Sequence, residues 1–356
     1  MVASDAALDE LCGQLSNASV LGVDTEFMRV RTYYPVLCLI QIYDGHQAVC
    51  VDTLNISSLA PLFDCFDESG LPILLHSARQ DFETFVVSAK RLPATVFDTQ
   101  IAAALTGPAD QVSYAQLVKD IAGIELPKSQ TRTNWARRPL SQQQLFYAAD
   151  DVRYLPALRE HLQEQLDKKN RLDWFHAECA RLLTVGLYEP DIDRAWRRCK
   201  SRRHFSDQER GAWRALCALR EETACEQDKP RRWIIEDAGI EELAVLAADD
   251  HDGIRAVLQS VKAHRGLQIE AIGERIAQAT PVTDDRPDRL SPAQMKTLDR
   301  GMQVVRKVAA DLDIAPSVLA PRKEVEKLVR GERDVTAVSG WRRAVVGEPL
   351  LDVIDG

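Results

Sequence analysis

The stretch Leu21-Gly-Val-Asp-Thr-Glu-Phe27 sets two carboxylates on alternate positions of an otherwise apolar run. Strand side chains alternate between faces, so Asp24 and Glu26 leave the backbone on one side, about 6.6 Å apart. Two like charges against an apolar sheet raise each other's pKa and destabilise the fold unless a cation neutralises them. Oxygen-only donors suit a hard divalent ion. The D-x-E pattern alone says little, since it recurs at Asp81 and Asp207. On its own it fits an edge strand with a wet polar face equally well.

Two further segments change that balance. Leu71-Pro-Ile-Leu-Leu-His76 is a second apolar run, followed by Ser77-Ala-Arg-Gln-Asp81. Asp81 then falls in the first turns of a helix, near the strand end where sites on such sheets collect. Phe146-Tyr-Ala-Ala-Asp-Asp-Val152 is helical by composition. Tyr147 and Asp151 are four apart and share a helix face, whereas Asp150 points to solvent. Four acids so gathered can hold two divalent cations about 3.5–4 Å apart, which clamp the attacking and leaving oxygens of a phosphoryl displacement. A tyrosine hydroxyl beside them can orient the attacking water.

The elements that must position these residues follow from periodicity. Strand patterns occupy 20–27, 36–43, 47–52, 72–76 and 95–98. Helical patterns occupy 56–65, 79–90, 99–105, 112–122 and 141–168. Strands first and alternation later predict a mixed sheet flanked by helices. Tyr33-Tyr34-Pro35 separates the first two strands, and no Gly-rich phosphate loop follows any strand. Beyond about residue 170 helices dominate, with a weak repeat near 85 residues. Ser206 and Ser291 are candidate N-caps of the two copies, Pro230 and Pro316 punctuate them, and Leu243 and Leu328 fall in register. The polar, proline-bearing stretch 280–288 reads as a linker. These features divide the chain into an α/β domain at 1–190 and helical domains at 200–280 and 289–356.

Composition narrows the class. With 356 residues the chain has room for two or three cores. No run is long and apolar enough for a membrane span, and the N-terminus is acidic, which leads us to expect a cytoplasmic protein without a signal peptide. Eight cysteines without a C-x-x-C pair are expected to be reduced thiols. The net charge of −9 argues against a nucleic-acid coat protein. Lys128 to Arg138 and Arg194 to Arg203 are nevertheless basic runs free of acids.

The three segments V-D-T-E-F, H-S-A-R-Q-D and Y-A-A-D-D resemble the three exonuclease motifs of the DEDD superfamily, and Tyr147, four before the last aspartate, makes the chain look like its DEDDy branch. Val96-Phe-Asp-Thr-Gln100 and Leu126-Pro-Lys-Ser-Gln-Thr-Arg-Thr-Asn-Trp-Ala-Arg-Arg-Pro-Leu140 are similar to ribonuclease D, and the helical repeats resemble its tandem HRDC domains. The resemblance covers nearly the whole chain and is looser over 200–280. It implies an RNase H-like mixed β-sheet flanked by helices, followed by two all-α HRDC-like domains.

It further implies a 3′→5′ exoribonuclease that releases nucleoside 5′-monophosphates, with tRNA precursors and other structured RNAs as substrates. By motif position Asp24, Glu26, Asp81 and Asp151 are the metal ligands, for two Mg²⁺ or Mn²⁺ ions, and Tyr147 completes the catalytic set. His76, Lys128, Arg132, Trp135 and Arg138 are the candidates for substrate contact. His76 has packing, and Trp135 loop anchoring, as the competing role. RNA with a free 3′ end is the expected partner. No membrane or obligate protein partner is expected, and the chain could act as a monomer. A DNA exonuclease of the same fold and an inactive nucleic-acid-binding scaffold are the competing readings.

Overall fold

The computed structural model describes residues 1–127, 133–201, 203–261, 266–283 and 289–356. They form two compact units. One holds residues 1–28, 37–187 and 289–356, the other residues 29–36 and 188–288.

The first unit is built on five strands: β1 (Leu21–Met28), β2 (Val36–Tyr43), β3 (Ala48–Val51), β4 (Ile73–Leu75) and β5 (Val96–Asp98). Their order is β3-β2-β1-β4-β5. β1, β4 and β5 run parallel, and β2 and β3 are antiparallel. Residues 29–35 are too few for a parallel crossover, so β1 and β2 form an antiparallel hairpin. Leu21 pairs with Ile73 and Gly22 with Leu74. Because β4 stops at Leu75, β1 runs on past it from Asp24 to Met28, leaving room at the strand ends.

Helices cover the sheet: α1 (Asp5–Leu15), α2 (Ala60–Ser69), α3 (Arg79–Ala89), α4 (Thr99–Thr106), α5 (Tyr114–Leu117), α6 (Gln142–Arg153), α7 (Leu155–Lys168) and α8 (Leu172–Leu182). α1 is absent from the periodicity reading because its face is thin. Only Leu8, Leu11 and Leu15 bury it, with Ser4 as N-cap. α2 starts four residues later than expected, after a 3₁₀ turn at Thr53–Asn55. The pattern over 141–168 is two helices. Tyr154 ends α6, and Pro156 sits in the first turn of α7, where its missing N–H costs nothing. Ser141 and Gln144 close a capping box that starts α6.

The stretch 289–356 has a core of its own, including Leu298, Val305, Leu319, Val325, Leu328 and Leu350. It nevertheless packs with the sheet as one unit. Trp341 stacks on Trp174 of α8 at 4.3 Å, and Glu178 accepts from Trp341 Nε1 (2.9 Å) and Arg342 Nη1 (2.5 Å).

In the second unit, helices Asp207–Glu226, Asp237–Leu243, His251–Ser260 and Ile269–Gln278 enclose Trp213, Leu216, Ile240, Leu243, Ile254 and Ile272. The Tyr33-Tyr34 segment belongs here: the N–H groups of both tyrosines donate to Asp228 Oδ1 at 2.9 and 3.0 Å. The repeat is physical. Ala224 and Ala309, Ile234 and Leu319, Ile240 and Val325, and Leu243 and Leu328 are all buried, pair by pair 85 residues apart. Ser206 and Ser291 both form capping boxes. Residues 284–288 of the expected linker lie outside the described residues. All eight cysteines are free thiols, and no described helix is long and apolar enough to cross a membrane.

Candidate active site

Asp24 and Glu26 leave one face of β1, and α6 lies on that face. The contact is set by Gly22, two residues before Asp24. A Cβ there would sit 3.1 Å from the Val152 carbonyl oxygen, 3.4 Å from Leu155 Cδ1 and 3.5 Å from Tyr43 Cβ. Only the missing side chain lets α6 approach the strand this closely, and Asp151 precedes the contacting Val152. Gly22→Ala is expected to displace α6 by a few tenths of an ångström. Since a 1 Å misplacement costs about 10²-fold in rate, kcat should drop roughly tenfold. A steady-state assay returning the parental kcat would show that this approach does not set the site.

Carboxylate oxygens of Asp24, Glu26 and Asp151 come within 4.8 Å of one another. Burial, reinforced by Asp81, Asp151 and Glu26, holds the Asp24 carboxyl well above the usual range. Burial, then Asp151 and Asp81, pushes Glu26 up to about 8. Asp151 rises to about 7 through burial, against a hydrogen bond from Tyr147 that pulls it down. Among the described residues no cation offsets this repulsion, and the donor set is oxygen throughout. Three converging, desolvated carboxylates fit a hard divalent ion.

Asp81 reaches the same space from α3, beyond the end of β4. It is 6% exposed, and Thr25 Oγ1 donates to its Oδ1 at 2.5 Å. Burial raises it to about 7, against that hydrogen bond. Its helix is fixed by Asp98, whose Oδ2 accepts from Ala78 N (2.8 Å) and whose Oδ1 accepts from Ser77 N (3.0 Å) and Gln100 N (2.8 Å). These bonds hold a turn in which Ser77 takes a left-handed φ of 64°. Asp98 before Thr99-Gln100 is an N-cap signal readable in sequence. Thr25 and Gly22 carry no such signal.

Tyr147 is half-buried, and its ring centroid lies 6.2 Å from that of Trp135. Burial and the acids around it raise its pKa, so it stays a phenol. Asp150 faces away as expected, paired with Arg153 at 2.7 Å.

The residues expected to meet substrate fare differently. Lys128 and Arg132 lie outside the described residues. Trp135 is 3% exposed within a cluster with Leu39, Leu140 and Ala148, so no base can stack on it, and it anchors its loop. Arg138 is likewise turned inward. It donates to both oxygens of buried Asp52 (2.7 and 2.5 Å), to Trp135 O (2.6 Å) and to Cys38 O (2.8 Å). His76 Nδ1 bonds Thr99 Oγ1 at 2.9 Å, and burial lowers its pKa, which makes it a neutral packing residue beside the site. For Trp135 the anchoring role holds over substrate contact, and for Arg138 the pairing with Asp52 corrects the expected substrate role. The Arg194–Arg203 run is partly committed too, with Arg198 paired to Glu221 at 3.0 Å.

Residues 1–167 match a family model described as a 3′-5′ exonuclease. The chain is 34% identical to the ribonuclease D of Gluconacetobacter diazotrophicus, over 96% of this chain and 89% of that protein. It is also 34% identical to the ribonuclease D of Xanthomonas oryzae pv. oryzae, over 96% and 95% respectively. Among solved structures, Escherichia coli RNase D, an exoribonuclease involved in structured RNA processing, superposes with a TM-score of 0.82 at 25% identity, covering 100% of this chain and 98% of that one. Fold, clustered acids and full-length likeness agree: the chain belongs to the ribonuclease D family and is a 3′→5′ exoribonuclease.

Proposed function

We propose that this enzyme hydrolyses the 3′-terminal phosphodiester of RNA with two divalent ions, Mg²⁺ or Mn²⁺, releasing nucleoside 5′-monophosphates one at a time. The observation that carries the reading is the convergence of Asp24, Glu26 and Asp151 on one point, each pushed toward protonation by burial, and Asp24 and Glu26 also by neighbouring acids. Asp24, Glu26 and Asp151 would hold one ion. Asp24 and Asp81 would hold the other. When bound, such ions lower the pKa of water and neutralise charge on the phosphoryl oxygens.

The chain's own groups do the rest. The Tyr147 O–H, kept protonated by its surroundings, is a hydrogen-bonding group rather than a base. It orients the attacking water toward phosphorus while the O3′ of the penultimate nucleotide leaves. Thr25 holds the Asp81 carboxyl in place, and Trp135 packs behind Tyr147. The sequence stretches 200–280 and 289–356 are HRDC-like domains in this reading, and the nuclease domain is 1–190. The likeness to an enzyme described as acting in structured RNA processing favours 3′ trimming of tRNA precursors and similar RNAs.

The test is digestion of 5′-labelled and 3′-labelled RNA with Mg²⁺, Mn²⁺ or EDTA, beside a matched DNA strand. The expected result is a metal-dependent ladder from the 5′ label and immediate mononucleotide from the 3′ label. Tyr147→Phe should lower kcat by about 10²-fold, the range for a positioned hydrogen-bonding group, and leave KM unchanged. Cleavage in EDTA, or internal cuts, would overturn the mechanism.

A further inference from the structure

Gln41, in the middle of β2, is fully buried, and neither its amide nitrogen nor its amide oxygen has a hydrogen-bond partner among the described residues. An amide that is both desolvated and unpaired destabilises the fold that contains it. Buried polar groups are nearly always satisfied, and an exception calls for a reason such as a role in catalysis. The place of this one supplies the reason.

Tyr43 Cβ is 3.5 Å from where a Gly22 Cβ would be, so Tyr43 and Gly22 share a sheet face and oppose each other across β1 and β2. Alternation puts Asp24 and Glu26 on that face of β1, and Gln41 and Leu39 on that face of β2. Because the hairpin is antiparallel, moving two residues from Gly22 to Asp24 means moving back two from Tyr43. Gln41 is therefore the cross-strand neighbour of Asp24, on the side where α6 brings Asp151 and Tyr147. On its other side it opposes Cys50 of β3. Cys50 and Leu39 belong to the apolar cluster that includes Ala148 and packs Tyr147. The amide is thus buried beside apolar groups, and its cross-strand neighbour across β1 is Asp24 of the acidic cluster.

We propose that Gln41 is a positioning residue of the active site: its NH₂ donates to the Asp24 carboxylate, directly or through one water, in the ion-loaded protein. The amide would fix the orientation of the Asp24 carboxylate with which the ions would be held. Gln41 contacts no substrate and belongs to the layer behind the ligands, where loss of a partner typically weakens ion affinity or activity by 10–100-fold. The inference rests on the ion-binding reading above.

The test uses the full chain with Gln41→Met, straight and close in length, and Gln41→Leu. Three quantities are read: melting temperature in EDTA, Mn²⁺ affinity from the free-ion electron paramagnetic resonance signal, and kcat and KM on single-stranded RNA. Removal of an unpaired amide should leave the melting temperature in EDTA equal or higher in both variants. Mn²⁺ binding should weaken by about 10–100-fold and kcat fall by a similar factor, with KM for RNA unchanged. Parental Mn²⁺ affinity in both variants overturns the proposal and leaves the ion-binding reading standing. Loss of folding in EDTA by both also overturns it, because the fold rather than the site would then need the amide. A parent chain that binds no Mn²⁺ sinks both together.

Discussion

Asp24→Asn should lower kcat by about 10³-fold, toward the upper end of what one lost electrostatic group costs, and raise the melting temperature of the metal-free protein. The two effects share a cause. Asp24 is pushed well above the usual range by burial and by Asp81, Asp151 and Glu26, so the ion-free fold carries a penalty that a bound cation or a proton relieves. A neutral amide of the same shape removes the repulsion and, on the proposed mechanism, the ligand common to both ions. Melting curves in EDTA and a single-turnover RNA assay measure both. A variant that loses activity and also melts lower in EDTA would mean that Asp24 serves the fold.

The pH dependence follows with a definite sign. Glu26 near 8, Asp81 near 7 and Asp151 near 7 bind their protons more tightly when folded than in an unfolded chain, where carboxyls titrate near 4. Between about pH 4 and 8 the folded, ion-free state therefore holds more protons than the unfolded one, and stability falls as pH rises through that window. In EDTA the parent should lose melting temperature between pH 5 and 8 more steeply than Asp24→Asn. Saturating Mn²⁺ should flatten the parental curve, since an ion that binds only the folded state stabilises it.

Arg138→Ala should destabilise the chain by about 3–5 kcal/mol, the usual consequence of stranding one member of a buried ion pair. Asp52 is 1% exposed, and both of its oxygens accept from this guanidinium. The interaction holds the Asp52 carboxyl below its ordinary range, so its contribution is present at neutral pH and is lost as acid protonates it. The same side chain ties down Trp135 O and Cys38 O, so the loop behind Tyr147 loosens as well. Urea denaturation at pH 7 gives the stability change. Replacing both partners by apolar residues, Arg138→Met with Asp52→Leu, should recover most of it. Unchanged stability with a raised KM for RNA would restore Arg138 to the substrate surface.

Several features of this protein are local and can be read along the chain. The β1 alternation of acids, the Tyr147–Asp151 spacing on one helix turn, and the Ser206 and Ser291 caps depend on periods of 2 and 3.6 residues. The three helix-break and helix-start errors, at α1, α2 and the α6–α7 junction, are also local, but there packing of a thin apolar face or one proline decided the outcome. What only the tertiary structure settled is which polar groups face each other. Arg138 and Trp135 look like RNA contacts in a basic run, and nothing in their neighbours reveals that Asp52, 86 residues earlier, has claimed the guanidinium. The docking of Tyr33 and Tyr34 onto Asp228 is equally invisible. So are the close approach of α6 over Gly22 and the isolation of Gln41 beside Asp24. The spacing of residues along one element is set by backbone geometry, whereas the partner a charge or an amide finds depends on segments far away in sequence, and only the folded chain brings those together.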